Sequence, residues 1–130
     1  MQEQINYYED KLKYEIDSWD LYEALKNDEK VIVIDTRSTE AFQTAHIPKA
    51  INVPHRTMNE ETTKDFNKEY LYVTYCDGIG CNASTKGALN MTKLGFKVKE
   101  LLGGLDWWKR DGYEVAGLEA KEENKISCGC

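Results

Sequence analysis

Two absences narrow what this chain of 130 residues can be. No apolar run is long enough for a signal peptide or a membrane-spanning helix, which predicts a cytoplasmic protein with no membrane partner. An excess of basic residues is also missing, because 17 Lys and Arg stand against 23 Asp and Glu, a net charge of -6. That balance argues against nucleic acid as the natural partner.

The chain has four cysteines, Cys76, Cys81, Cys128 and Cys130. In a reducing compartment such a set is better interpreted as thiols or metal ligands than as a disulfide framework. The Cys-Gly-Cys segment at 128–130 has two possible interpretations, a site that binds a soft metal or an inert terminus.

The hydrophobic content, 41% of the residues, suffices for one compact domain with an apolar core. Strand-like and helix-like patterns alternate along the middle of the chain. They predict strands over 31–34, 71–75 and 98–102, a short strand bracketed by Pro48 and Pro54, and helices over 18–27, 38–42, 60–66 and 83–94. Such alternation indicates an α/β fold with a mainly parallel sheet flanked by helices, whose sites lie at the carboxyl ends of the strands. We expect an N-terminal arm over 1–16, one domain over 17–118 and a polar tail over 119–130.

The stretch 75–94 carries the strongest functional signal. Cys76 ends the strand 71–75, and Gly78 and Gly80 permit the positive φ angles of a loop whose amides point at one spot. Asn82 can cap the following helix, whose dipole lowers the thiol pKa from roughly 8.5. Cys76 is therefore a candidate nucleophile, and the alternative is a small buried apolar side chain.

Three cations are accessory candidates. Arg37 lies beside Asp35, which favours a structural ion pair over a substrate anchor. Arg56 follows a strand end that should open on the same edge as Cys76, and Lys86 lies in the first turn of the helix after the loop. Both could attract an anion, and exposed surface charge is the alternative interpretation.

Several motifs, in order and spacing, resemble those of the rhodanese family over about residues 17–115. They are Asp-Thr-Arg at 35–37, His-Ile-Pro-Lys-Ala-Ile-Asn-Val-Pro at 46–54, Tyr-Cys at 75–76, Leu-Gly-Phe at 94–96 and Leu-Gly-Gly-Leu-Asp-Trp-Trp at 102–108. The resemblance implies a rhodanese-like three-layer sandwich with a mainly parallel central sheet between helices.

The resemblance also implies a sulfurtransferase. Cys76 would accept sulfane sulfur from a small donor such as thiosulfate or a persulfide, and would pass it from a Cys76 persulfide to a thiol or protein acceptor. No metal and no organic cofactor is implied. The substrate-binding backbone would come from the loop residues Asp77, Gly78, Ile79, Gly80, Cys81, Asn82 and Ala83.

The loop departs from the common family pattern, because it is longer and lacks the arginine often found after the cysteine. Asp77 adds a negative charge, so we expect weaker capture of thiosulfate. Cys81 suggests a second hypothesis, a redox-sensing or regulatory module with a reversible Cys76–Cys81 disulfide. Phosphatase or arsenate reductase chemistry is a third, disfavoured by the missing arginine clamp. Cys128 and Cys130 could also resolve a persulfide.

Overall fold

A computed structural model of the chain describes residues 1–27 and 30–120. In this part of the chain the strands are β1 (Glu15–Ile16), β2 (Val31–Asp35), β3 (Ile51–Asn52), β4 (Leu71–Tyr75) and β5 (Lys97–Leu101). The α-helices are α1 (Gln2–Tyr14), α2 (Ser18–Lys26), α3 (Thr39–Thr44), α4 (Ala83–Lys93) and α5 (Gly104–Arg110), and a 3₁₀ turn covers His55–Thr57.

The strands form one five-stranded sheet in the order β1-β5-β4-β2-β3. Every pairing in it is parallel, and the longest ladder aligns Val31 with Leu71 and Asp35 with Tyr75. The predicted α/β class with a parallel sheet flanked by helices is confirmed. Strand β4 lies between β2 and β5, so its carboxyl end opens near the middle of the sheet edge.

A hydrophobic core covers each face of the sheet, because side chains of successive strand residues point to opposite faces. Val33 and Val73 pack in one core with Leu21 of α2 and Trp108 of α5. The other core contains a residue of each of β2, β4 and α4, namely Ile34, Tyr72 and Met91. This arrangement is the three-layer sandwich that the resemblance implied.

Residues 2–14, within the predicted N-terminal arm, form the helix α1, which the sequence patterns did not predict. None of its residues is buried, and its apolar side chains, such as those of Ile5 and Leu12, are exposed. Exposed pairs one turn apart stabilise it instead: Gln2 bonds Asn6 at 2.9 Å, and Lys11 pairs with Glu15 at 2.8 Å.

The helix predicted over 60–66 is wrong, because turns occupy this segment. The Asn59 side chain accepts from the Thr62 amide at 2.9 Å, and the Thr62 hydroxyl donates to the Thr57 carbonyl at 2.7 Å. Such local side-chain bonds to the backbone compete with helical bonds.

None of the helices among residues 1–27 and 30–120 is long and apolar enough to cross a lipid bilayer. Cys128, Cys130 and almost all of the predicted tail lie outside the described residues. The domain boundaries at 17 and 118 stay predictions.

Candidate active site

Cys76 lies directly after β4 and is almost completely buried, with 2% of its surface exposed. The first turn of α5 holds its backbone: the Leu105 amide donates to the Cys76 carbonyl at 2.9 Å, and the Asp106 amide donates to the Asp77 carbonyl at 2.7 Å. The amino end of one short helix therefore fixes where the cysteine sits at the carboxyl end of the sheet.

Gly104 makes this close approach possible. Its φ is +58°, and a Cβ at this position would collide with the Cys76 carbonyl oxygen and lie 2.9 Å from the Gly78 nitrogen. In the sequence, the Gly103-Gly104 pair stood out only as part of the motif at 102–108. Its role in positioning Cys76 was missed, and the double glycine before a helix was the available signal.

We expect Gly104→Ala to destabilise the reduced protein by about 2–4 kcal/mol and to slow alkylation of Cys76, because it combines backbone strain with a clash against the loop. Gly112→Ala is a matched control, since Gly112 also has a positive φ, +88°, but its added Cβ would meet nothing within 4 Å. Urea unfolding and alkylation rates measure both effects. Equal losses in the two variants would mean that the contact with Cys76 is unimportant.

Arg37 is the centre of a buried ionic network next to the loop. Its guanidinium donates from Nη2 to Asp35 Oδ2 at 2.7 Å, and Asp35 is fully buried and also accepts from the Tyr75 hydroxyl at 2.6 Å. Burial lowers the pKa of Arg37, but hydrogen bonds to Asp35 and Asp77 outweigh it and raise the pKa above its ordinary value. Burial and the Asp35 carboxylate raise the pKa of the Tyr75 phenol. The predicted structural ion pair is confirmed.

The same guanidinium reaches the loop, because Arg37 Nη1 donates to Asp77 Oδ1 at 2.9 Å. The Asp77 side chain is 71% exposed while that of Arg37 is 7% exposed, so a buried cation anchors an exposed loop carboxylate. This pair partly offsets the negative charge of Asp77, on which the expectation of weaker thiosulfate capture was based. The signal for it was hidden, since the two residues lie 40 positions apart.

The glycines of the loop serve different purposes. Gly80 has a φ of +94° with open space around it, as predicted. Gly78 does not adopt a positive φ, so that expectation is wrong. A Cβ at Gly78 would lie 3.1 Å from the Cβ of Asp106, which shows that the position needs a small residue for packing against α5.

The far end of the loop is fixed to β5 rather than by the expected cap. Asn82 occupies the N-cap position of α4, but its side chain makes no capping hydrogen bond. Glu100 Oε2 instead accepts from the Ser84 hydroxyl at 2.7 Å and the Thr85 hydroxyl at 2.6 Å. Ile79, between the anchors, is 85% exposed.

Cys76 and Cys81 are joined by a disulfide across this loop, with their Cα atoms 6.2 Å apart. This separation lies in the ordinary range for the bond. The Cys81 amide donates to the Gly78 carbonyl at 3.2 Å, so a tight turn brings the second cysteine back toward the first. It also means that this amide is used inside the loop rather than pointing at a bound anion.

A metal ligand set can be drawn from the same residues, since the sulfurs of Cys76 and Cys81 and a carboxylate oxygen of Asp77 lie within 4.8 Å of one another. These three side chains cannot serve as metal ligands while the disulfide is formed. The sulfurs are joined to each other, and the carboxylate is bound by Arg37.

Arg56 and Lys86 each lie close enough to His55 to affect its charge. The His55 amide donates to the Thr36 carbonyl, and the Asn90 side chain donates to the His55 carbonyl at 2.9 Å, so the 3₁₀ turn packs against α4. Burial, followed by the charges of Lys86 and Arg56, lowers the pKa of His55. Both cations are exposed and close enough to His55 to lower its pKa.

The chain belongs to the rhodanese-like family: residues 18–111 match the model of the rhodanese-like domain. It is similar to the BH2092 protein of Bacillus halodurans, whose crystal structure is 44% identical with a TM-score of 0.86, covering 91% of this chain and 87% of that one.

Two curated relatives are longer proteins. The adenylyltransferase and sulfurtransferase UBA4 of Candida albicans is 31% identical over 76% of this chain and 24% of its own length. A probable molybdopterin-synthase adenylyltransferase of Porphyra purpurea is 33% identical over 72% of this chain and 25% of its own length. The chain thus spans about a quarter of either relative.

Proposed function

We propose that the protein is a sulfurtransferase that carries sulfane sulfur as a persulfide on Cys76. The observation that supports this most is the placement of Cys76, which follows the central strand β4 with its carbonyl held by α5 and opens the loop that leads into α4. The Candida relative is named as an adenylyltransferase and sulfurtransferase. The match to the family model, over residues 18–111, includes all residues of the candidate site.

The reaction starts from the reduced protein, because the sulfur atoms in a disulfide are not nucleophiles. The Cys76 thiolate attacks the outer sulfur of thiosulfate or a persulfide, the sulfur–sulfur bond of the donor breaks, and sulfite or a thiolate leaves. An acceptor thiolate then attacks the outer sulfur of the Cys76 persulfide and regenerates the Cys76 thiolate. Neither step calls for a metal or an organic cofactor.

The loop and the start of α4 supply positive potential for both steps. The helix dipole and loop amides stabilise the thiolate, the persulfide and the departing anion. The proposed substrate-binding backbone comprises Asp77, Gly78, Ile79, Gly80, Asn82 and Ala83, with Cys81 as a neighbouring thiol. Arg56 and Lys86 attract the anionic donor, while Arg37 positions the loop through Asp77.

Transfer from thiosulfate to a small thiol should follow ping-pong kinetics, because the enzyme leaves its first half-reaction as a free persulfide. Initial rates at several fixed acceptor concentrations test this with the protein kept reduced. Parallel double-reciprocal lines are expected. Intersecting lines, or a rate no higher than that of donor and acceptor alone, would overturn the proposal.

The same assay, run at several salt concentrations, tests the role of the accessory cations. In Arg56→Gln/Lys86→Gln the KM for thiosulfate should rise about three- to tenfold at low salt, and the difference should shrink as added salt screens the two charges. Lys93→Gln is the control, since Lys93 is an exposed lysine at the other end of α4. An equal change in the control would remove Arg56 and Lys86 from the site.

A second function is favoured by the disulfide itself: a redox-sensing module in which Cys76 and Cys81 alternate between dithiol and disulfide. A cytoplasmic location, where thiols are kept reduced, stays a prediction of the sequence and suits such a switch. Phosphatase or arsenate reductase chemistry gains no support, because the loop sequence 77–82 contains no arginine. The guanidinium of nearby Arg37 is bound to Asp35 and Asp77.

A further inference from the structure

We propose that Cys81 resolves the Cys76 persulfide, so that the protein reduces sulfane sulfur to hydrosulfide at the expense of a dithiol. This inference rests on the proposed persulfide at Cys76. It is motivated by the disulfide that joins the two cysteines, which lie five positions apart. The structure shows directly that the two sulfur atoms can reach each other within the fold.

The anchors of the loop explain why this contact needs no large rearrangement. At its start, α5 fixes the Cys76 carbonyl and Arg37 holds Asp77. At its end, Glu100 holds the first turn of α4. Because both ends stay attached while the bond exists, opening the disulfide leaves the Cys81 thiol beside Cys76. An intramolecular thiol held this way competes effectively with acceptors from solution.

The step balances as a thiol–disulfide exchange. The Cys81 thiolate attacks the inner sulfur, Sγ of Cys76, and forms the Cys76–Cys81 bond. The bond between Sγ and the outer sulfur breaks, and the outer sulfur leaves with the electron pair, takes one proton and departs as hydrosulfide. The outer sulfur is reduced by two electrons, and the two cysteines are together oxidised by two electrons.

Turnover then requires a dithiol reductant, which opens the protein disulfide and itself becomes a disulfide. Exposure decides where it attacks: Cys76 is 2% exposed, whereas Cys81 lies partly at the surface. The reductant therefore attacks Cys81, and Cys76 leaves as the thiolate that α4 stabilises. The partner class is thus a small dithiol or a dithiol protein.

The test follows a persulfide after loading. The parent protein carries Cys128→Ser and Cys130→Ser, so that the loop thiols alone remain, and Cys81→Ser is compared with it. Both are reduced, loaded with thiosulfate and freed of donor, and then hydrosulfide release and intact mass are followed. The parent should release one equivalent of hydrosulfide and end two hydrogens lighter than the reduced protein. Cys81→Ser should keep the added sulfur at least about tenfold longer.

Cys81→Ala should behave like Cys81→Ser, because the thiol and not the side-chain size is required. Equal decay of the persulfide in the parent and both variants would overturn this inference while leaving the sulfurtransferase proposal standing. If Cys81→Ser acquires no sulfur during loading and releases none, the proposed function fails and the inference fails with it. Loading is measured before decay, so the two failures are distinguishable.

Discussion

Replacement of Cys76 by Ser or Ala should lower the rate of sulfur transfer at least about a thousandfold, because no other group can form the covalent intermediate. The measurement is steady-state transfer from thiosulfate to a small thiol with reduced protein. Cys128→Ser/Cys130→Ser is the control and should keep a rate close to that of the unaltered chain. Transfer that persists in Cys76→Ala would assign the chemistry to another residue.

Thermal stability distinguishes a lost nucleophile from a lost fold. Cys76 is 2% exposed and packs like a small apolar side chain, so Ala should be tolerated better than Ser. Reduced protein is the reference, since both substitutions also remove the disulfide. An inactive Cys76→Ala protein that unfolds at nearly the temperature of the reduced parent isolates the chemical role.

Replacement of Arg37 by Met should lower the free energy of unfolding by about 3–5 kcal/mol, because it leaves the Asp35 carboxylate buried without its cation. Asp35 is fully buried, and Arg37 binds it through Nε and Nη2. The guanidinium also donates to the Ala45 carbonyl, which would lose this partner. Urea unfolding of the reduced protein measures the loss.

Arg110→Met provides the matched control, since Arg110 pairs with Asp106 at 3.1 Å while both side chains are more than half exposed. Such a surface pair should contribute no more than about 1 kcal/mol. Losses of similar size in the two variants would show that burial of the Asp35–Arg37 pair is unimportant. Partial recovery in Asp35→Leu/Arg37→Met would identify the unpaired carboxylate as the source of the loss.

The central elements were predictable because their sequences agree with their burial. The segments 31–34 and 71–75 are apolar or β-branched runs, and they form parallel strands buried by helices on both faces. Helix α4 has a small-residue and apolar face, with Ser84, Gly87 and Met91 buried, and Gly95 ends it with a φ of +96°.

Prediction failed where local polar bonds decide the structure. Helix α1 buries nothing, and an isolated i,i+4 ion pair is a weak signal beside its scattered tyrosines. Where a helix was predicted over 60–66, the Asn59 side chain forms a turn, because Thr62 supplies competing bonds.

The position of the candidate site was predictable from the sequence, but the tertiary contacts that hold its loop in place were not. Cys76 and its loop follow from strand, glycine and helix signals that are contiguous in sequence. The contacts of the loop with Arg37, Glu100 and Gly104 depend on tertiary packing, which no local pattern shows. The spacing of Cys76 and Cys81 allowed a disulfide, but only the path of the loop backbone decides whether the sulfurs meet.

The claim that Cys76 carries the sulfur is tested most directly by locating the sulfur. The Cys81→Ser protein, in which the persulfide cannot be resolved within the loop, is reduced, treated with thiosulfate, alkylated, digested and mapped by mass spectrometry. We expect one added sulfur on the peptide that contains Cys76. Added sulfur on the peptide that contains Cys128 and Cys130, or no added sulfur on any peptide, would contradict the account.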